Sequence, residues 1–272
     1  MLHKLKSIVK GLIKGYYDHR LLENASSLSY YTLMSLVPIL AVLFGIAKGF
    51  GIESSFKDEV IHAIPNQQAL AEEIVQFAER MLERTKGSVI AGFGVLFLLW
   101  SFLGLLGNFE HTLNDIWHLK ETRSFFRRIG DFLGFIFICP FFFVIFSSTT
   151  LFLSSELTDL FEKWELIDHF GPAIWFTFKL APVFLAFLIF SFFYYYLPSV
   201  RPPIKPVLMG ALITAVFFHL AQWAYVMFQI NISSYGAIYG SFAAIPLFLL
   251  WVQLSWFITL LGAELSYRFS KL

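Results

Sequence analysis

Charge is what this chain most lacks: 14% of its 272 residues are Asp, Glu, Lys or Arg, against 57% apolar ones. A soluble domain carries about 25% charged residues to cover its surface, so an ordinary water-facing exterior is excluded. A single cysteine, Cys139, rules out an intramolecular disulfide and any metal site built on paired thiolates. The histidines (His3, His19, His62, His111, His118, His169 and His219) never fall at the i, i+4 or H-x-H spacing of a metal site. No G-x-S-x-G nucleophile elbow occurs. Gly92-Phe93-Gly94 lies inside an apolar run rather than at a strand-to-helix turn, and no nucleotide-binding loop is present. Basic residues are dispersed, without an RNA-binding module. These absences read as a protein that is not an enzyme, with no cofactor, no metal and no nucleic-acid partner.

What the chain does have is long apolar runs, at about 28–50, 88–108, 131–153, 172–197, 207–230 and 241–265. Each approaches the roughly 20 residues that cross about 30 Å of hydrocarbon. They are apolar all round, unlike the alternating strands of an outer-membrane barrel. The expectation is an all-α, polytopic membrane bundle of six transmembrane helices forming one domain over 1–272. Lys and Arg set the orientation, because short cytoplasmic loops retain them. Lys4, Lys6, Lys10, Lys14 and Arg20 precede the first run; Lys120, Arg123, Arg127 and Arg128 follow the second; Arg201 and Lys205 follow the fourth; Arg268 and Lys271 follow the sixth. Both termini are therefore expected in the cytoplasm.

Three segments outside the runs carry helical periodicity. The arm 1–26 has no signal-peptide core. Its Leu5, Val9, Leu12 and Tyr16 recur at helical spacing beside lysines, which predicts a basic amphipathic helix, either on the anionic leaflet or as a plain lead-in helix. Leu70, Ile74, Phe77 and Met81 in 66–86, and Leu157, Phe161, Trp164 and Ile167 in 154–171, predict amphipathic helices at the outer interface.

Within the runs, Pro38, Pro140, Pro182 and Pro246 each remove a backbone hydrogen bond, a pattern shared by kinked structural helices and by transporters with a midplane cavity. Lys179 stands about 10 Å past Pro172 along a helix; it either snorkels to the outer interface or faces a polar cavity. His219, Gln222 and Gln229 share one face of the fifth run, and Gln253 lies midway along the sixth. They either line that cavity or bond between helices. Glu264 ends the sixth run, where it either forms a plain interfacial salt bridge, to Arg201 or Arg128, or binds a cationic group, the salt bridge being the expectation. Gly45 to Gly49 and Gly236 to Gly240 have the G-x-x-x-G form that packs helices, which does not fix an oligomeric state.

Four stretches carry a family resemblance. Asn24-Ala25-Ser26-Ser27-Leu28-Ser29-Tyr30-Tyr31 through Pro38 is similar to the opening signature of the YihY/BrkB membrane proteins. Leu113-Asn114-Asp115-Ile116-Trp117 resembles their Asn-x-Ile-Trp element, Pro198-Ser199-Val200-Arg201 their Pro-x-x-Arg turn, and Ile238 to Pro246 with Leu260 to Leu265 their closing signature. The resemblance covers nearly the whole chain in order. It implies an inner-membrane protein with six spans and cytoplasmic ends, linked to envelope integrity and lipid or lipopolysaccharide handling. Members have also carried the label ribonuclease BN; such a nuclease needs a His/Asp metal cluster and a soluble active-site domain, and this sequence has neither.

Two functional expectations result. The first is a lipid transporter or flippase-like protein in which Lys179, His219, Gln222 and Gln253 accommodate a headgroup, Pro38, Pro182 and Pro246 shape the spans, and Arg201 and Glu264 serve structure or gating. Its partners are membrane lipids. The second is a non-catalytic scaffold recruiting envelope-assembly proteins through the outer helices. A membrane-bound ribonuclease is the most distant alternative.

Overall fold

The computed structural model describes residues 2–49, 89–119, 167–231 and 244–271, with isolated positions between 51 and 80 and at 130. The expected run at 131–153, most of the outer segment 154–171, Pro140 and Cys139 lie outside the described residues. All regular structure among the described residues is α-helical. The helices are α1 (Leu2–Asp18), α2 (Leu21–Gly49), α3 (Val89–Ile116), α4 (Ile167–Tyr196), α5 (Ile204–Asn231) and α6 (Ala244–Ser270). α3 outlasts its apolar run, and the 167–170 end of the expected outer helix belongs to α4 instead.

α5 and α6 contain segments, Ile204–Gln229 and Pro246–Ser270, long and apolar enough to cross a membrane by length and composition. A shorter apolar stretch, Pro182–Tyr196, ends α4. α2 continues through Pro38 and α4 through Pro182, whereas Pro246 stands in the first described turn of α6. There its missing N–H costs no helical bond.

Contacts gather the chain into two compact units. The first comprises Met1–Thr32, Gly104–Ser124 and Ala181–Leu272; the second comprises Leu33–Leu103 and Phe125–Leu180. In the second, Val75 is buried beside exposed Glu72, Glu73 and Gln76 at helical positions, and Lys57 Nζ lies 3.1 Å from Glu79 Oε1. The apolar face expected there, Leu70, Ile74, Phe77 and Met81, is outside the described residues.

The first unit combines an apolar exterior with polar groups inside its otherwise apolar core. Phe184, Leu188 and Phe192 of α4, and Leu212, Val216, Phe217, Leu220 and Trp223 of α5, are exposed, while Ser29, Thr112, Thr214, Thr259, Glu264 and Ser266 are buried. Hydrocarbon solvates such outward side chains but supplies no hydrogen bonds, so polar groups turn inward or back on their own helices. The hydroxyls of Ser29, Thr214, Thr259 and Ser266 donate to the carbonyls four residues earlier, at 2.7–2.9 Å.

Small residues set how closely these helices approach. On α6, Gly262 faces Thr214 and Tyr194; on α5, Gly210 faces Ser266, so a Cβ on either glycine would overlap its neighbour. The two antiparallel helices thus match small residues four apart on both sides, which brings their backbones together. Tyr194 of α4 closes the junction by donating its hydroxyl proton to the Thr259 carbonyl at 2.6 Å. α1 uses the same device on another side of α6: Gly11 lies against Arg268 and Gly15 against Glu264. Among the described residues the glycines expected to pack helices do not all do so, since a Cβ on Gly49 would meet none of them within 4 Å. Gly236 and Gly240 are outside the described residues.

Candidate functional site at the end of α6

Glu264 is fully buried, and its carboxylate is held from two directions. Arg268, one turn later on α6, brings Nε and Nη2 each within 2.6 Å of Oε1. His19 Nδ1 lies 2.9 Å from Oε2. The salt bridge expected with Arg201 is therefore replaced: Arg201 is exposed in the turn before α5. The cause is local. Arg268 sits on the same helical face as Glu264, and the Gly15 contact leaves no side chain between α1 and the carboxylate. Arg128 is outside the described residues.

His19 occupies the turn between α1 and α2. Its N–H donates to Gly15 O at 3.0 Å, its carbonyl accepts from Asn24 Nδ2 at 2.9 Å, and Arg20 turns the chain in the left-handed region at φ 46°. Asn24, which opens the sequence signature, thus fixes the backbone of the residue that reaches Glu264.

The end of α3 comes to the same place. Leu119 N–H bonds Asn114 O at 2.8 Å and His118 N–H bonds Asp115 O at 3.1 Å, with His118 at φ 54°. This is a Schellman ending, with histidine where glycine usually stands. The turn places the His118 ring 5.3 Å from the His19 ring and 5.2 Å from the Tyr267 ring, and Trp117 meets Tyr267 edge-on at 5.6 Å. One turn back, buried Glu110 and Asn114 reach the turn after α4. Asn114 Nδ2 donates to Ser199 Oγ at 2.8 Å, Ser199 N–H donates to Asn114 Oδ1 at 2.9 Å, and Ser199 Oγ donates to Glu110 Oε1 at 3.1 Å.

The other expected site residues are not joined by hydrogen bonds among the described residues. His219 Nδ1 donates to Ala215 O on its own helix at 3.0 Å. Gln253 Nε2 donates to Ser26 Oγ at 3.0 Å, while Gln222 is exposed. Gln229 donates to Tyr225 OH, which donates to Leu247 O at 2.7 Å, an interhelical tie of the kind open to these amides. Lys179 lies in α4, in the second unit, and its side chain is outside the described residues.

Asn24, Asn114, Ser199 and Glu264, one residue from each signature, therefore gather around the C-terminal end of α6, whereas Pro246 stands at its other end and 238–243 lie outside the described residues. A model of the family described as virulence factor BrkB matches residues 12–271. The chain belongs to the BrkB family. Relatives similar to it include UPF0761 membrane proteins of Haemophilus influenzae, 27% identical over 93% of this chain and 91% of the relative, and of Paraburkholderia xenovorans, 29% identical over 97% and 60%. A further one, from Chromohalobacter salexigens, is 31% identical over 95% of this chain and 62% of its own length. The chain thus spans about three-fifths of the latter two relatives. No solved structure matches. These relatives, with the apolar α5 and α6, make this a membrane protein of the BrkB family.

Reading the sequence alone missed His19, Glu110, Ser199 and the Gly11/Gly15 pair. Two signals were available: Glu264 and Arg268 at i, i+4 on one helix, and G-x-x-x-G inside α1. Chemically the cluster is closed. Both Glu264 oxygens are taken by cationic or hydrogen-bonding side chains, and the described residues bring no group of three His, Cys, Asp or Glu together as metal ligands. What the arrangement does is hold α1, the α1–α2 turn and the end of α3 to α6.

Proposed function

We propose that this BrkB-family chain crosses the bacterial cytoplasmic membrane six times with both termini in the cytoplasm, and moves a lipid or lipid-linked envelope precursor between leaflets. The observation that carries this reading is Gln222, a residue exposed within the apolar segment of α5 between exposed Leu220 and Trp223. An amide facing hydrocarbon is left without partners. A passing headgroup, with its water, supplies them. His219, one turn earlier, adds a second ring nitrogen, Nε2, on the same helix. No nucleotide-binding loop accompanies these groups, so movement is passive, ion-coupled or driven by another subunit.

The test is transbilayer movement of a fluorescent phospholipid in liposomes containing the purified protein, with quencher added outside. Flux above empty liposomes, reduced several-fold in Gln222→Leu, is expected. Lys179→Met, measured alongside, examines the phosphate contact that the sequence suggests for that residue. Folded protein without flux, or Gln222→Leu with full flux, contradicts the reading.

A further inference from the structure

α1 has two faces, and α6 takes only one. Gly11 and Gly15 meet α6, Leu12 and Tyr16 beside them are half-buried, and the Tyr16 ring packs edge-on against Phe257 at 6.0 Å. The leaflet-facing stripe expected from sequence is thereby split, because Tyr16 packs on α6 and Leu12 is half-buried while Val9 stays exposed. The helix keeps a second apolar row, Val9, Ile13 and Tyr17, exposed by 49%, 58% and 71%. At 100° per residue, a parallel row of exposed Lys6, Lys10 and Lys14 lies about 60° further round. No acidic residue occurs in α1 before Asp18.

The end of α6 has the chemistry of a bilayer surface. Arg268 and Lys271 lie 5.4 and 5.2 Å from the centre of the Tyr267 ring, and Trp117 stands against the same ring. Aromatic and basic residues collect where a span meets the headgroups. α1 is fastened to this stretch through Gly11 and Gly15, which holds its free face at that level.

We infer that the free face of α1 binds anionic phospholipid headgroups. Val9, Ile13 and Tyr17 enter the headgroup–acyl boundary, and Lys6, Lys10 and Lys14 pair with phosphates. A protein partner or a second copy would also cover apolar surface, but the unbroken lysine row beside it fits an anionic surface. The inference needs α6 to end at a membrane surface and does not depend on lipid flux.

A nitroxide on Ile13→Cys, in full-length protein carrying Cys139→Ser, tests it in liposomes of phosphatidylcholine alone or mixed with phosphatidylglycerol. With phosphatidylglycerol present, the label should be reached by oxygen and shielded from an aqueous nickel chelate, while a label on exposed Ser7→Cys stays open to the chelate. Charge reversal of Lys6, Lys10 and Lys14 to Glu should remove the shielding, since each lysine lost lowers the docked fraction roughly fivefold. The inference is overturned by an Ile13 label as open to the chelate as the Ser7 label, by shielding that survives the charge reversal, or by spin–spin broadening that reports a second copy.

Discussion

Replacing Glu264 by alanine lowers the unfolding free energy of the detergent-solubilised protein by about 3–5 kcal/mol, the usual cost of removing one partner from a buried ion pair. The figure is large because the loss is not confined to the missing bonds. Arg268 keeps a cation whose side chain is 22% exposed, and His19, 8% exposed, loses its carboxylate partner. Glu264→Gln retains shape and one acceptor oxygen, so it should fall between wild type and alanine. Arg201→Ala changes an exposed side chain in a turn and should leave the melting temperature nearly unaltered. Thermal melts followed by tryptophan fluorescence check all three. Equal losses for Arg201→Ala and Glu264→Ala would restore the pairing expected from sequence.

The second large effect lies at Gly262, where the backbones of α5 and α6 approach. Any side chain there overlaps Thr214 Oγ1 and the Tyr194 hydroxyl, and both of those groups are buried. Neither is the loose end of a long flexible chain, so Gly262→Val has to part α5 from α6 or displace the Tyr194–Thr259 bond. Overpacking of this kind costs about 1–3 kcal/mol, and an orphaned Tyr194 hydroxyl adds about 1–3 kcal/mol more. Gly49→Ala supplies the contrast: none of the described residues lies within 4 Å of its Cβ, and the substitution should be near neutral. A Gly262→Val protein that melts with Gly49→Ala would mean that α5 and α6 do not meet there.

Helices were legible in this sequence because hydropathy and length are local properties. The apolar runs predict α2 to within a turn at its far end, and α5 and α6 to within a few residues, although α3 continues past its run into the polar stretch ending at Ile116. The packing was less legible. G-x-x-x-G reads the same whether a neighbour is present, as at Gly11 and Gly15, or absent among the described residues, as at Gly49. The site was least legible of all: His19 and Glu264 are 245 residues apart, and no spacing rule connects them. Asn24, Asn114, Ser199 and Glu264, one from each signature stretch, belong to the cluster, while Ile238 to Ala243 lie outside the described residues. Their roles emerged only when Asn24 proved to fix the His19 turn and Asn114 to grip Ser199. His219, Gln222 and Gln253 show the converse, since residues that share a polar character along two spans need not share a hydrogen-bond network.

The central feature of this protein is the attachment of α1 and its turn to α6 through the His19–Glu264 contact. A double-mutant cycle of His19→Asn and Glu264→Gln, measured by thermal unfolding in one detergent, examines it directly. A coupling of at least about 1 kcal/mol is expected for residues in one buried network, whereas singles that add within roughly 0.3–0.5 kcal/mol in the double variant would show that the two side chains do not interact.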